Sequence, residues 1–296
     1  MKKIILLTIS LIWGSSLYGD TKFIDLSNGN TVDIETIAAE GDIFVMGETH
    51  YNRPIQTAQA AFLSEVVQLR EAQKNFDLGW EFLNVDQYEL VNAAYKDFAN
   101  NKMSTAQFLQ KLLGEYEGNI SYEVILEELK RLEGGLIPLN LSRPIKRQVV
   151  KGGITALDPQ YLPKDFQLGG NLYYERFIEA MGGHGGPSLD NYFAAQSLVD
   201  NVMADTLESY RQFPLSFLIC GSFHSDFFDG VVAELYRRSQ AAVVSIRFLD
   251  VTNMTEDQVQ NTLFDQSYGE IADFAVLVSG IAELIMVEWI NDSHPV

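Results

Sequence analysis

Glu48 and His50 stand in Gly47-Glu48-Thr49-His50, and His224 stands in Gly221-Ser222-Phe223-His224, two copies of one short pattern, Gly-x-x-His. The chain has four histidines, so the pattern claims half of them. Glu81, beside Trp80, and Arg143, just beyond Asn140, likewise follow short apolar runs. Carboxylate and neutral imidazole suit zinc, manganese or iron, which makes Glu48, His50, Glu81 and His224 a candidate metal set. Without a metal the same groups form an acid–base set. Glu48 or Glu81 would then activate water, and Arg143 would stabilise developing negative charge. The long spacing makes the signal weaker than a compact His-Glu-x-x-His. Strand-end histidines that only brace loops are the plain alternative.

A shared site requires that the two copies meet. Each follows an apolar run, Ile43–Met46 in the first case and Phe217–Cys220 in the second. Such runs ending in glycine read as buried strands of a parallel sheet. In open α/β sheets the ligand crevice lies beyond the carboxyl ends of the strands. Further strands are expected at Phe76–Phe82, Leu136–Leu139 and Val243–Leu249, with Phe274–Val278 and Leu284–Val287 as late strands or packed segments. Ile55, Ala58, Gln59, Phe62, Val66 and Leu69 recur at helical spacing. Residues 31–39 read as a connecting segment with a helical turn, 161–186 as irregular, and 228–239 as a helix. The stretch 86–133 carries three helical patterns in succession without a strand. These readings give an α/β fold, a mostly parallel sheet flanked by helices, with a smaller helical subdomain. The α/β part would comprise 20–85 and 134–296, and the helical part 86–133, with some of 160–210 as a candidate addition.

A helix from about Leu189 to Tyr210 adds a separate hint. On a helical wheel Phe193, Gln196, Val199, Asp200, Met203 and Leu207 share one face. Gln196 and Asp200 thus fall in an apolar stripe. A buried polar group without a partner costs about 1–3 kcal/mol, so both need partners at the polar site or in a buried network. His184 sits among glycines and could swing onto a ligand or stand exposed, and His294 near the end of the sequence is incidental. Cys220, the single cysteine, lies within an apolar strand and reads as a buried, inert thiol. A phosphate-binding loop, a nucleophile elbow and a covalent haem-attachment motif are all missing. Ser222 lacks the glycine that would follow an elbow nucleophile.

The bulk composition narrows the choice. Lys2 and Lys3, the apolar run Ile4–Trp13 and the small polar stretch to Gly19 read as a cleaved secretory leader over 1–19. No cysteine stands near the cleavage point to carry a lipid. The expected product is an exported, periplasmic protein of 277 residues (296 less 19), long enough for one large α/β domain. The formal net charge is −19, which argues against nucleic acid as a partner.

Taken in order, Gly47-Glu48-Thr49-His50, Trp80-Glu81, Asn140-Leu141-Ser142-Arg143, Ala195-Gln196 with Asp200 and Met203-Ala204, and Gly221-Ser222-Phe223-His224 resemble the ChaN family of haem-binding uptake proteins. That family lies within the Tiki/TraB/erythromycin-esterase-like superfamily, and the resemblance spans about residues 36 to 250. It implies a large parallel-sheet domain with a smaller helical one, location in the bacterial envelope, and haem binding for haem or iron uptake. Haem held through tyrosine at a homodimer interface, and an outer-membrane haem receptor, are the partners implied. Tyr51, Tyr173, Tyr174 and Tyr192 are the tyrosines considered as ligands; Tyr51, Arg143, His184 and Gln196 are the candidate haem contacts. Arg143, Arg147 or Arg53 could meet the propionates. Other branches of the superfamily imply the alternative, a metal-dependent hydrolase using a divalent transition metal, the glutamates and the two motif histidines.

Overall fold

The computed structural model describes residues 20–182 and 188–279. The leader at 1–19, His184, the late segment Leu284–Val287 and His294 lie outside the described residues. The chain opens with strands β1 (Asp20–Asp25) and β2 (Asn30–Thr31) and helix α1 (Ile34–Glu40). There follow β3 (Ile43–Glu48), α2 (Arg53–Leu69) and β4 (Phe76–Asn84), then α3 (Tyr88–Ala99), α4 (Thr105–Leu113) and α5 (Glu123–Arg131). The next elements are β5 (Gly135–Asn140), α6 (Arg143–Gly152), α7 (Asn171–Met181), α8 (Leu189–Tyr210) and β6 (Leu215–Gly221). The described part closes with α9 (Gly230–Arg238), β7 (Val243–Asp250), α10 (Glu256–Leu263), the small hairpin β8 (Phe264–Asp265) and β9 (Gly269–Glu270), and β10 (Phe274–Ser279).

The main sheet runs β2-β1-β10-β7-β3-β6-β4-β5. From β10 to β5 every pairing is parallel, whereas β1 and β2 add an antiparallel edge. The fold is α/β, with helices on both faces. Alternation along the strands sorts the side chains. Phe44, Met46, Phe76, Leu78, Trp80, Phe217 and Ile219 enter one core with α1 and α2. Ile43, Val45, Ile137, Leu139, Leu218 and Cys220 enter another under α8 and α9. Burying each such side chain fully stabilises by roughly 1.5–3 kcal/mol. Val91 and Phe98 of α3, Phe108 of α4 and Leu129 of α5 share the first core, so the segment 86–133 packs directly on that sheet face.

Two local expectations change. The segment 161–186 is not irregular throughout, because α7 occupies 171–181 between Gly170 and a left-handed Gly182. Its Tyr173 and Phe177 pack on Phe193 of α8 at 5.5 and 5.4 Å between ring centroids. The flanking glycines, which disguise the segment in sequence, are the caps of the helix. The narrow apolar stripe expected for α8 is instead burial on nearly every side. Val199 and Met203 face the sheet, and Ala194, Leu198 and Val202 face α6. No helix among the described residues is long and apolar enough to cross a membrane.

Candidate functional site

The two Gly-x-x-His copies meet because their strands are neighbours. β3 and β6 pair in parallel, with Gly47 opposite Cys220 and Glu48 opposite Gly221. The glycines interlock the copies. A Cβ on Gly221 would lie 2.7 Å from His50 Nε2, and one on Gly47 would lie 2.2 Å from Ser225 Oγ. Gly221 therefore admits the histidine of the first copy, and Gly47 admits Ser225 just past the second, close approaches that any larger residue blocks.

Two polar networks occupy opposite faces of the sheet at this rim. On the α2 face, Glu48 is fully buried. Its carboxylate accepts hydrogen bonds from His50 Nδ1 at 2.9 Å, Gln56 Nε2 at 2.9 Å and the Tyr122 hydroxyl. On the α8 face, Glu81 accepts from the Gly221 backbone N–H at 2.6 Å and lies 3.3 Å from His224 Nε2. His224 Nδ1 is 2.6 Å from Asp200, whose other oxygen accepts from the Tyr173 hydroxyl at 2.9 Å. Gln196 Nε2 donates to that hydroxyl at 3.0 Å and sits 3.0 Å from His224 Nδ1. His50, reaching Gly221 from the Glu48 side, is where the networks approach each other.

The charges follow from these contacts. Burial pulls His224 down, but Glu81 and then Asp200 push it up to about 10, so it is an imidazolium at neutral pH. Burial pushes Glu81 up, yet His224 outweighs this and holds it at about 2. One imidazolium thus serves two carboxylates, and Glu81 takes the larger part. Asp200 is raised above an ordinary aspartate by burial, which His224 and Tyr173 offset only in part. For His50, burial lowers the pKa, and the bond to Glu48 with the charge of Glu81 raises it further than burial lowers it. Burial raises Tyr122 and lifts Tyr173 well above the normal phenol value.

Outside the polar networks the rim carries a ledge of rings. Tyr51 contacts Tyr116, Phe82 and Tyr122 at centroid distances of 4.7, 5.4 and 5.9 Å, and His50 meets Phe82 edge-on at 4.8 Å. Tyr51 has φ +62°, and it and Tyr116 are 38% and 59% exposed. A left-handed tyrosine is uncommon and marks a constrained position.

The structure thus gathers Glu48, His50, Glu81, Gln196 and His224 at one rim, with Tyr51 beside them. Arg143 and Arg147 are exposed on α6, past the end of β5. Arg53 is turned away, donating to the Ile120 carbonyl at 3.0 Å and facing Glu123. Tyr174 donates to Asp190, and Tyr192 is exposed on α8. Among the described residues no three His, Cys, Asp or Glu side chains are arranged to hold a metal ion. The reason is visible in the contacts: both ring nitrogens of His224 are engaged, and Glu48 already has three donors. Three contributors went unread as site residues in the sequence. Gln56 and Tyr122 fall outside any motif, and Lys146 lies one turn beyond Arg143. Lys146 Nζ donates to Asn140 Oδ1 at 3.2 Å, and burial lowers its pKa although Glu81 and Asp86 raise it. A separate cleft of about 560 Å³ opens at the amino ends of the central strands, lined by Asp42, Arg211, Pro214 and Ala241 among others. It gathers no histidine.

The family model described as haem-binding uptake, Tiki superfamily, ChaN matches residues 36–235. The chain belongs to the ChaN family. This ChaN-family domain superimposes on the structure titled "Cofacial heme binding to ChaN of Campylobacter jejuni" with a TM-score of 0.67. The alignment covers 88% of this chain and 98% of that one at 16% identity, and it shows a common fold. A mutant erythromycin esterase, EreC in its open conformation, aligns with a TM-score of 0.46 and 11% identity over 84% of this chain and 94% of that one. Comparison with curated proteins gives no match.

Proposed function

We propose that this ChaN-family protein captures haem on the ring ledge formed by His50, Tyr51, Phe82 and Tyr116. The observation that carries this reading is the ledge itself. Exposed Tyr51 and Tyr116, in edge-on contact with each other, and the half-buried ring of Phe82, which Tyr51 and His50 both meet edge-on, give an apolar, polarisable surface at the carboxyl rim for a planar macrocycle to pack on. The iron of haem supplies a site for an axial ligand. Tyr51 and Tyr116 are the exposed phenols of the ledge, whereas Tyr122 and Tyr173 are buried and spend their hydroxyls on Glu48 and Asp200. The axial role therefore falls to Tyr51 or Tyr116. Titration of the purified protein with hemin should give a saturable Soret band, weakened and shifted in Tyr51→Phe or Tyr116→Phe. An unsaturable spectrum at micromolar hemin overturns the reading.

The same proposal places the protein in haem or iron uptake outside the cytoplasm, on the leader read at 1–19, with a second copy and an outer-membrane haem receptor as partners. Chain-length analysis of periplasmic extracts tests the leader, and size-exclusion chromatography with and without hemin tests the second copy.

One observation favours a second reading, hydrolysis. The chain Glu81–His224–Asp200–Tyr173 is a buried, charged network that a ring-binding ledge does not require. This arrangement suits acid–base chemistry carried by the side chains themselves. Glu81, whose side chain is 12% exposed against 0% for Glu48, would orient water beside the contacts it keeps with Gly221 and His224, and His224 would hold its charge. Glu48, enclosed by three donors, is unsuited to reach water. Ester hydrolysis that resists chelator and is lost in Glu81→Gln supports this reading; an inactive protein with every ester tried, with or without added metal, removes it.

A further inference from the structure

α6 is the cationic element of an anionic protein. Its ten residues include Arg143, Lys146, Arg147 and Lys151 and no acid, in a chain of net charge −19. Arg143, Arg147 and Lys151 are exposed and make no ion pair or hydrogen bond among the described residues. Lys146 is different. It is half-buried beside the carboxyl end of β5, and its ammonium has one hydrogen-bond partner, the neutral Asn140 side chain. That amide oxygen also accepts from the Leu141 backbone at 2.8 Å, which fixes its direction. An ammonium has three donors. Glu81 adds its field to Lys146, but its two oxygens are committed to Gly221 N–H and His224.

The position of this group relative to the ledge matters. Phe82 and Glu81 lie on β4, β5 is the next strand, and α6 follows β5 directly. His50 of the ledge and Glu81 both flank Gly221, and Glu81 acts in turn on Lys146, so a ligand reaching from the rings to Lys146 would straddle the strand ends from the α2 face to the α8 face. Haem is an amphiphile with an apolar face and two carboxylates along one edge. The rim presents the complementary pair, rings toward β3 and β4 and cations past β5. Elsewhere the charge of the protein repels an anionic ligand, so α6 also sets the direction of approach.

We infer that Lys146, oriented by Asn140 and backed by Arg143 and Arg147, receives the carboxylate edge of the ligand, so that the site selects a tetrapyrrole with free propionates over its ester. The inference rests on the haem reading above and adds to it the chemical class that the site accepts. A charge-assisted hydrogen bond made only by the free acid corresponds to about tenfold or more in affinity.

The test compares hemin with hemin dimethyl ester by absorbance titration in one solvent. Wild-type protein should bind hemin at least about tenfold more tightly than the ester, and Lys146→Met should bring that ratio towards one. Arg143→Gln combined with Arg147→Gln should lower it less and should flatten the salt dependence of hemin binding. Equal affinity of the wild-type protein for the two ligands overturns the inference while leaving the ledge intact, and needs no variant to fold. An undiminished ratio in Lys146→Met overturns the role of that residue. Failure of the wild-type protein to bind either ligand overturns the haem reading itself.

Discussion

Replacing Gly221 by alanine tests the interlock of the two motif copies directly. The residue has φ −58° and ψ 140°, so alanine meets no backbone strain. On that count alone the substitution stabilises by about 0.4–1 kcal/mol, through the unfolded chain. Against it, the new methyl would lie 2.7 Å from His50 Nε2 and 2.9 Å from Cε1. Reaching an ordinary contact of 3.4 Å requires the ring to retreat by 0.7 Å (3.4 less 2.7). That lengthens the 2.9 Å bond from His50 to Glu48 beyond useful reach. A hydrogen bond to a buried carboxylate is worth about 1.5–3 kcal/mol, and the lower end applies to a ring one-third exposed. The net is a loss of about 1 kcal/mol for Gly221→Ala. In a His50→Ala background the clash disappears and only the favourable term remains, so the same change becomes stabilising. Urea unfolding of the four proteins should therefore return a coupling of about 1.5 kcal/mol. Additivity within about 0.5 kcal/mol, or a Gly221→Ala protein more stable than wild type, refutes the proximity on which the site is built.

Tyr122→Phe withdraws the hydroxyl donor from buried Glu48 and should cost about 1.5–3 kcal/mol in urea unfolding; a loss below about 0.5 kcal/mol contradicts the network. For the His224–Glu81 pair the signs are opposite. Raising His224 from 6.5 to about 10 gives stability that is complete below pH 6.5 and lost as pH rises towards 10. Lowering Glu81 from 4.5 to about 2 gives stability that is complete above pH 4.5 and lost as pH falls towards 2. The thermal advantage of wild type over His224→Gln should thus peak between pH 4.5 and 6.5, and a gap that widens above pH 8 speaks against it. Cys220 is buried, and burial pushes its thiol well above the usual value; a disulfide reagent should label it only after unfolding, and prompt labelling of native protein overturns its inert reading.

The β-strands were legible in sequence because buried parallel strands are short, apolar and punctuated. Ile43–Met46 and Phe217–Cys220 mark β3 and β6 to within two residues. The motif repeat was legible for the same reason, since each copy begins where the apolar run stops. What sequence could not carry is pairing. That β3 and β6 are adjacent, with Gly47 opposite Cys220, is a property of strand order, and the residues are far apart in the chain. Tyr122 illustrates the limit best. It reaches Glu48 across 74 positions from the short turn before α5, where no periodicity or spacing marks it. α7 was hidden for another reason: its glycine caps look like loop composition, and its burial comes from α8 and the loop at Phe223. Lys146 was passed over because a lysine on an amphipathic helix ordinarily belongs to the solvated face.

A buried charged cluster normally costs desolvation that its internal attraction only partly offsets. Here the cost is reduced by partition across the sheet. Glu48 and Glu81 lie on opposite faces, so neither carboxylate must tolerate the other at hydrogen-bond distance, and each has its own histidine. Glu48 is surrounded by three hydrogen-bond donors, whereas Glu81 is paired with a full imidazolium. The consequence is asymmetric access. The Glu48 side is closed and can brace the ledge through His50 and Tyr122, while the Glu81 side remains near the surface beside Lys146. On the proposed reading, rings and α6 cations would hold the ligand while the His224 network fixes the strand ends at the same rim, so binding and any acid–base chemistry would not compete for the same groups.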